Sequence, residues 1–103
     1  MLTAVSLVAL AAGCGSSGGG GKSSASDLAR GKTVFVEKCG GCHSLKAAGT
    51  KGIVGGPLDG VRLRKEFVEQ RVRFGGNGMP GFDDTLSDGD VVAVTDFVVS
   101  AER

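Results

Sequence analysis

The sequence predicts a small all-α domain of three to four helices behind a non-globular lead, and three observations carry this. Apolar residues recur at helical spacing in three stretches, near 27–38, 63–74 and 87–102. The segments between them are dense in glycine, which supplies 19 of the 103 residues, so they read as loops that wrap something and not as strands. The side chains with reactive chemistry gather at one place, Cys39-Gly40-Gly41-Cys42-His43, where the first helical stretch meets the first glycine-rich loop.

A chain of 103 residues has room for one domain. Its organisation reads as a lipoprotein-like signal peptide over 1–13, an anchor cysteine and Gly/Ser-rich linker over 14–26, and a folded domain over 27–103. A core of that size supplies only roughly 3–5 kcal/mol and calls for a staple such as a disulfide, a metal or a cofactor. With five Phe and neither Trp nor Tyr, the chain leaves volume for a large apolar ring system. The formal net charge of +1 gives no electrostatic case for nucleic acid. The charge is unevenly spread, however: 46–73 carries seven bases against three acids, and 83–103 carries six acids against one base. Such a polarity can orient a molecule in a partner's field, while solvated helix faces give the same pattern with no partner involved.

Residues 2–12 are uncharged but, at eleven, fall short of the roughly 20 that span a bilayer, which suits the apolar region of a signal peptide. They lead into Ala11-Ala12-Gly13-Cys14, which resembles the lipobox at which bacterial lipoproteins are cleaved and lipidated, here with Ala11 where leucine is usual and no basic residue ahead. Cys14 is thus the expected lipid site; the other reading is an ordinary secretory signal that leaves Cys14 an odd thiol. The linker up to Ser26 behaves as a coil about 19 Å from end to end, so an anchored domain is free to turn.

Ser26 is the expected N-cap of a helix over 27–38, with Asp27 in its first turn and Leu28, Phe35 and Cys39 at near-helical spacing. Gly31 costs a helix roughly 1 kcal/mol relative to Ala, so it is expected either to let another helix approach closely or to break the element. A second helix over 63–74 carries Leu63, Phe67, Val68, Arg71 and Val72 and stops at Gly75-Gly76. The loop 75–86 holds Met79-Pro80. Ser87 then caps a last helix to about Glu102, with Asp90 as capping-box partner and Val91, Val94 or Thr95, and Val98 on one face.

Two thiols two residues apart, followed at once by an imidazole, form the attachment signature of a c-type haem: Cys39 and Cys42 add to the haem vinyl groups and His43 ligates iron. His43 is the only histidine, which excludes two histidine ligands within one monomer, and Met79 is the only methionine besides the initiator. Its thioether is therefore the soft donor free for the other side of the iron. A sulfur ligand raises the reduction potential, and a filled sixth position disfavours oxygen activation.

The order helix, CxxCH, glycine-rich loop, middle helix, Met-containing loop and terminal helix resembles the small class I cytochromes c over Leu28 to Glu102. The matching pieces are Arg30-Gly31-Lys32 with Phe35, the CGGCH motif, Gly56-Pro57-Leu58-Asp59-Gly60, Gly78-Met79-Pro80-Gly81-Phe82, and Leu86-Ser87-Asp88 leading to Phe97. The resemblance implies one covalent haem c with His43 and Met79 as iron ligands. It implies a monomeric one-electron carrier of an extracytoplasmic respiratory chain, periplasmic or lipid-anchored at the outer face of the cytoplasmic membrane. The partners it implies are redox proteins: a quinol-oxidising complex, a terminal oxidase or a dehydrogenase. A loop carbonyl orients the family's histidine ligand, and here either Gly56 or Pro57 can supply it. The family often holds the haem propionates with Tyr or Trp; this chain has neither, leaving Arg64, Arg71, Arg73, Asn77 and loop amides as substitutes. Gly31, Phe35 and Phe97 match the contact where the family's terminal helices cross.

Three other readings compete. A zinc site lacks a second ligand pair, and a thiol–disulfide oxidoreductase lacks a βαβ frame. A haem c domain with an open or labile sixth position, used for ligand sensing or as the electron-entry module of a redox enzyme, shares the cofactor and needs Met79 off the iron.

Overall fold

The structure, a computed structural model, describes residues 24–103. The signal-like stretch, Cys14 and the linker up to residue 23 lie outside the described residues.

Helix α1 spans Ala25–Lys38. Its cap is Ser24, whose Oγ accepts from Asp27 N–H at 3.2 Å, so the helix begins two residues before the start expected at Ser26. Ser24 stands three residues ahead of Asp27, the spacing that lets a side-chain oxygen reach that amide. Ala25 and Ser26, expected in the linker, are helical. After α1 the chain forms a small antiparallel hairpin instead of the open loop expected: β1 (Ser44–Leu45) pairs with β2 (Thr50–Lys51) around a 3-10 turn over Lys46–Ala48. Leu45, fully buried, ties this hairpin to the core.

Helix α2 spans Lys65–Phe74 and starts two residues later than expected. The amides of Arg62 and Leu63 are already committed to the carboxylate of Glu102, and Arg62 has a φ of 53°, outside the helical region. Helix α3 spans Asp88–Ala101 with Ser87 Oγ accepting from Asp90 N–H at 3.1 Å. The Asp90 carboxylate does not serve as a capping-box partner; Arg30 of α1 takes it in a two-pronged pair with both bonds at 2.9 Å.

The core lies where α1 crosses α3. Phe35 and Phe97 meet at a centroid distance of 5.9 Å, tilted by 56°. Gly31 sits beneath the crossing: a Cβ there would stand 2.7 Å from Phe97 Cβ and closer still to the Ala93 carbonyl oxygen. Of the two roles the sequence left open, Gly31 has the first, close helix approach inside an unbroken helix. Lys65 to Asp96 (2.9 Å) ties α2 to α3, and Arg73 holds Asp83 and Asp88 at 2.9 Å each. Thus the basic middle and acidic end seen in the sequence fold against each other and partly cancel.

Candidate haem-binding site

A cleft of about 460 Å³ opens between the CxxCH segment, α2, α3 and the loop 75–86. Cys39 reaches it from the end of α1, where its amide and that of Gly40 both bond the Phe35 carbonyl at 2.8 Å and turn the chain out of the helix. Cys39 is buried and Cys42 exposed, so one thiol lies in the wall and the other at the rim. Burial, with the neighbouring Cys42 adding to it, pushes the Cys39 thiol up to about 11. A thiol so far above its ordinary range is a poor exchange nucleophile, which counts against the disulfide-oxidoreductase reading.

His43 Nδ1 donates to the Gly56 carbonyl at 2.7 Å. This fixes the tautomer and leaves the Nε2 lone pair for a metal. Of the two carbonyls the sequence offered, the one bonded is that of Gly56; Pro57 is exposed and stands outside the cleft wall. The glycines around it are steric requirements. A Cβ on Gly55 would fall 2.5 Å from the imidazole ring, and one on Gly52 would fall 2.5 Å from the Cys42 backbone. Gly55 N–H also bonds the Cys42 carbonyl at 2.7 Å, so the loop is laced to the motif at several points.

Met79 enters the wall from the opposite stretch of sequence. Gly76 and Met79 exchange two main-chain hydrogen bonds of 3.0 Å, and the two residues between them, Asn77 and Gly78, have φ of 53° and 88°. Positive φ at both central positions is the mark of a type I′ turn, for which Asn-Gly is the favoured pair. Phe82 N–H to Val72 O (2.8 Å) and Asp83 N–H to Arg73 O (3.0 Å) then pin the loop to α2.

The rest of the wall is mostly apolar, with Phe35, Leu58, Leu63, Val68, Val72 and Phe82 among its members. Among the described residues, Lys38 and Arg71 are its charged side chains besides the motif, and no carboxylate lines it. Arg71 is steadied by the Phe67 ring, 5.2 Å from its centroid. Of the four propionate candidates, Arg71 and Asn77 line the cleft, while Arg64 stands just ahead of α2 and outside the cleft lining, and Arg73 is held by Asp83 and Asp88. Leu58 belongs to the Gly56 to Gly60 piece of the resemblance, and Leu63 and Val72 to the apolar face expected of the second helix; that all three line the cleft shows only in the fold. Among the described residues, no three His, Cys, Asp or Glu side chains gather as a bare metal ion would require. One edge thus supplies two thiols and an oriented imidazole, another wall a thioether, and the space between is apolar with two cations. These residues fit a flat, apolar, iron-bearing ring with acidic arms, which is the chemistry of a covalently held haem.

Comparison with known proteins agrees. Residues 26–98 match the family model described as cytochrome c oxidase, cbb3-type, subunit III. The chain is 33% identical over 85 residues to a cytochrome c6 of Picosynechococcus, covering 72% of this chain and 73% of that protein. It is 37% identical over 75 residues to a cytochrome c6 of Euglena gracilis, covering 66% and 85%. Among solved structures, the c-type cytochrome SorU from Sinorhizobium meliloti superposes with a TM-score of 0.68 at 31% identity, covering 74% of this chain and 91% of that one.

The chain belongs to the cytochrome c family, in the branch described by the cbb3-type subunit III model. It is a monohaem electron-transfer protein and not an enzyme, with one covalently bound haem c as its cofactor.

Proposed function

We propose that this protein is a His43/Met79-ligated one-electron carrier of an extracytoplasmic respiratory chain, held at the outer face of the membrane by lipid on Cys14. The observation that supports the ligand set is that one cleft gathers both paired cysteines, the chain's only histidine and its only methionine beyond the initiator. The haem supplies the one-electron couple; the chain's residues set where it sits and how it is tuned. Cys39 and Cys42 hold the ring, and His43, fixed by Gly56, presents Nε2 to iron. Met79 offers its sulfur from a loop closed by its own turn, favouring the ferrous state. Arg71 and Asn77 take the propionates, whose charge suits a guanidinium. The apolar wall keeps water from the iron.

The anchor is supported by the lipobox-like ending at Cys14 and by the Gly/Ser linker after it. No helix among the described residues is long and apolar enough to cross a membrane. Donor and acceptor are redox proteins of the kinds given above. Beside Cys42, Ile53 and Val54 are largely exposed and no acid lies between 39 and 58, so an apolar, acid-rimmed partner face suits this edge. The rate with such a partner falls as salt rises.

The test of the ligand set is Met79→Ala in protein made by a host with c-type haem maturation. The parent is red, keeps its haem in denaturing gels and resists carbon monoxide when reduced; the variant binds carbon monoxide at once and has a lower potential. A parent that binds carbon monoxide immediately and in full, or a variant with an unchanged spectrum, removes Met79 from the iron and favours the open-site reading. Mass spectrometry of the mature N-terminus decides the anchor, which an unmodified Cys14 would rule out.

A further inference from the structure

Glu102 follows α3 and is 1% exposed, yet none of the chemistry above calls on it. Its carboxylate accepts from two consecutive main-chain amides, from Leu63 through Oε1 at 2.9 Å and from Arg62 through Oε2. The Gly60 amide bonds the carbonyl of the same residue. Three amides from 60–63 therefore converge on one residue about forty positions away in sequence. Burial of a carboxylate is tolerated only where donors meet its oxygens, and bonds to an ionised acceptor are about twice as strong as neutral ones. What this carboxylate holds is a strained segment: Arg62 keeps a φ of 53° without being glycine, a conformation that persists only when its surroundings over-determine it. The next residue, Leu63, is both packed on the core and part of the cleft wall.

We propose that Glu102 is a positioning residue for the haem site, its carboxylate latching segment 60–63 so that Leu63 closes the cleft wall against water. The inference rests on the haem-carrier reading. Without the carboxylate, the amides of Arg62 and Leu63 lose their acceptor inside the fold, and Arg62 relaxes out of the left-handed region. Leu63 is then no longer held. Water reaching the cleft favours the more highly charged ferric state, because burial and local dielectric are among the protein's means of setting a haem potential.

The test uses Glu102→Gln in the full-length holoprotein, which keeps the side chain's shape and one acceptor oxygen but turns an amide NH₂ toward a donor. Amide hydrogen exchange at Arg62 and Leu63 accelerates at least tenfold. The ferric-to-ferrous ratio against a fixed reference couple rises about three- to tenfold, tenfold being about 59 mV for one electron. Leu63→Ala gives a rise of similar size, and adding Glu102→Gln to it gives little more. Glu102→Ala strengthens both effects where it folds, and the Gln variant decides the matter where it does not. A red protein whose two amides ignore the substitution overturns the latch alone. Faster exchange with an unchanged ratio makes Glu102 a structural brace and overturns its role at the site. A parent chain with no covalent haem overturns the carrier reading, and the positioning role with it.

Discussion

Replacing Gly31 by alanine tests the helix crossing on which the cleft is built. In α1 the substitution is favourable by itself, since alanine is about 1 kcal/mol better than glycine in a helix interior. Against this, the new methyl would stand 2.7 Å from Phe97 Cβ and from the Ala93 carbonyl carbon, where ordinary contact begins at 3.4 Å. The helices would have to part by at least 0.7 Å, and further at the carbonyl oxygen, because a helix backbone cannot swing aside as a side chain can. Overpacking of this kind costs roughly 1–3 kcal/mol. Parting also weakens the many small contacts around Phe35 and Phe97, which places the total toward the upper end of that range. The net loss is about 1–2 kcal/mol, a fall in Tm of roughly 4–16 °C for a domain of this size. Thermal unfolding of the holoprotein followed by circular dichroism reads it directly. Gly89→Ala in α3 is the control: its methyl meets nothing nearer than Ser87 Oγ at 4.0 Å, so it leaves Tm unchanged or slightly higher. A Gly31→Ala protein as stable as the parent would refute the close-approach argument.

Two further outcomes follow from side chains around the same crossing. Thr95 is fully buried and its hydroxyl has no hydrogen-bond partner among the described residues, so Thr95→Val, which keeps the shape and removes an unsatisfied polar group, raises stability by about 1 kcal/mol; a lower Tm would show that the hydroxyl is satisfied. Arg30 holds the Asp90 carboxyl below its ordinary range. A carboxylate whose folded value is depressed contributes stability that is present above the unfolded value, about 3.9, and is lost as pH falls through the folded one. Asp90→Asn therefore unfolds earlier than the parent in urea at pH 7, and the gap narrows below about pH 4; a constant gap across that range would detach the effect from the ion pair.

How much of this was legible in the sequence depended on how local the cause was. The motif at Cys39 to His43 is read from five adjacent residues, and Gly31 announces a contact because it stands where a helix would rather have alanine. The Asn77-Gly78 pair is a local turn signal too, but the expectation there went no further than a loop over 75–86 holding Met79-Pro80, and the turn is a finding of the fold. Glu102 and Arg73 did not show themselves. A lone acid after an apolar helix gives no hint that it binds amides about forty residues back, and Arg73 was a propionate candidate until the fold placed Asp83 and Asp88 beside it. The helix starts missed by two residues fail for the same reason at closer range: Ser24 and Ser26 are equally good caps by composition, and the start of α2 is decided by a carboxylate at the other end of the domain.

The turn that carries Met79 separates frame from content. Its shape is set by main-chain bonds between Gly76 and Met79 and by the anchoring of Phe82 and Asp83 to α2, none of which involves the Met79 side chain. The side chain at that position is therefore exchangeable: a single residue substitution can present histidine, lysine or a plain alkyl group from an unaltered scaffold. One position can therefore decide whether the cleft is offered a sulfur, a nitrogen or no donor at all, without the loop having to refold.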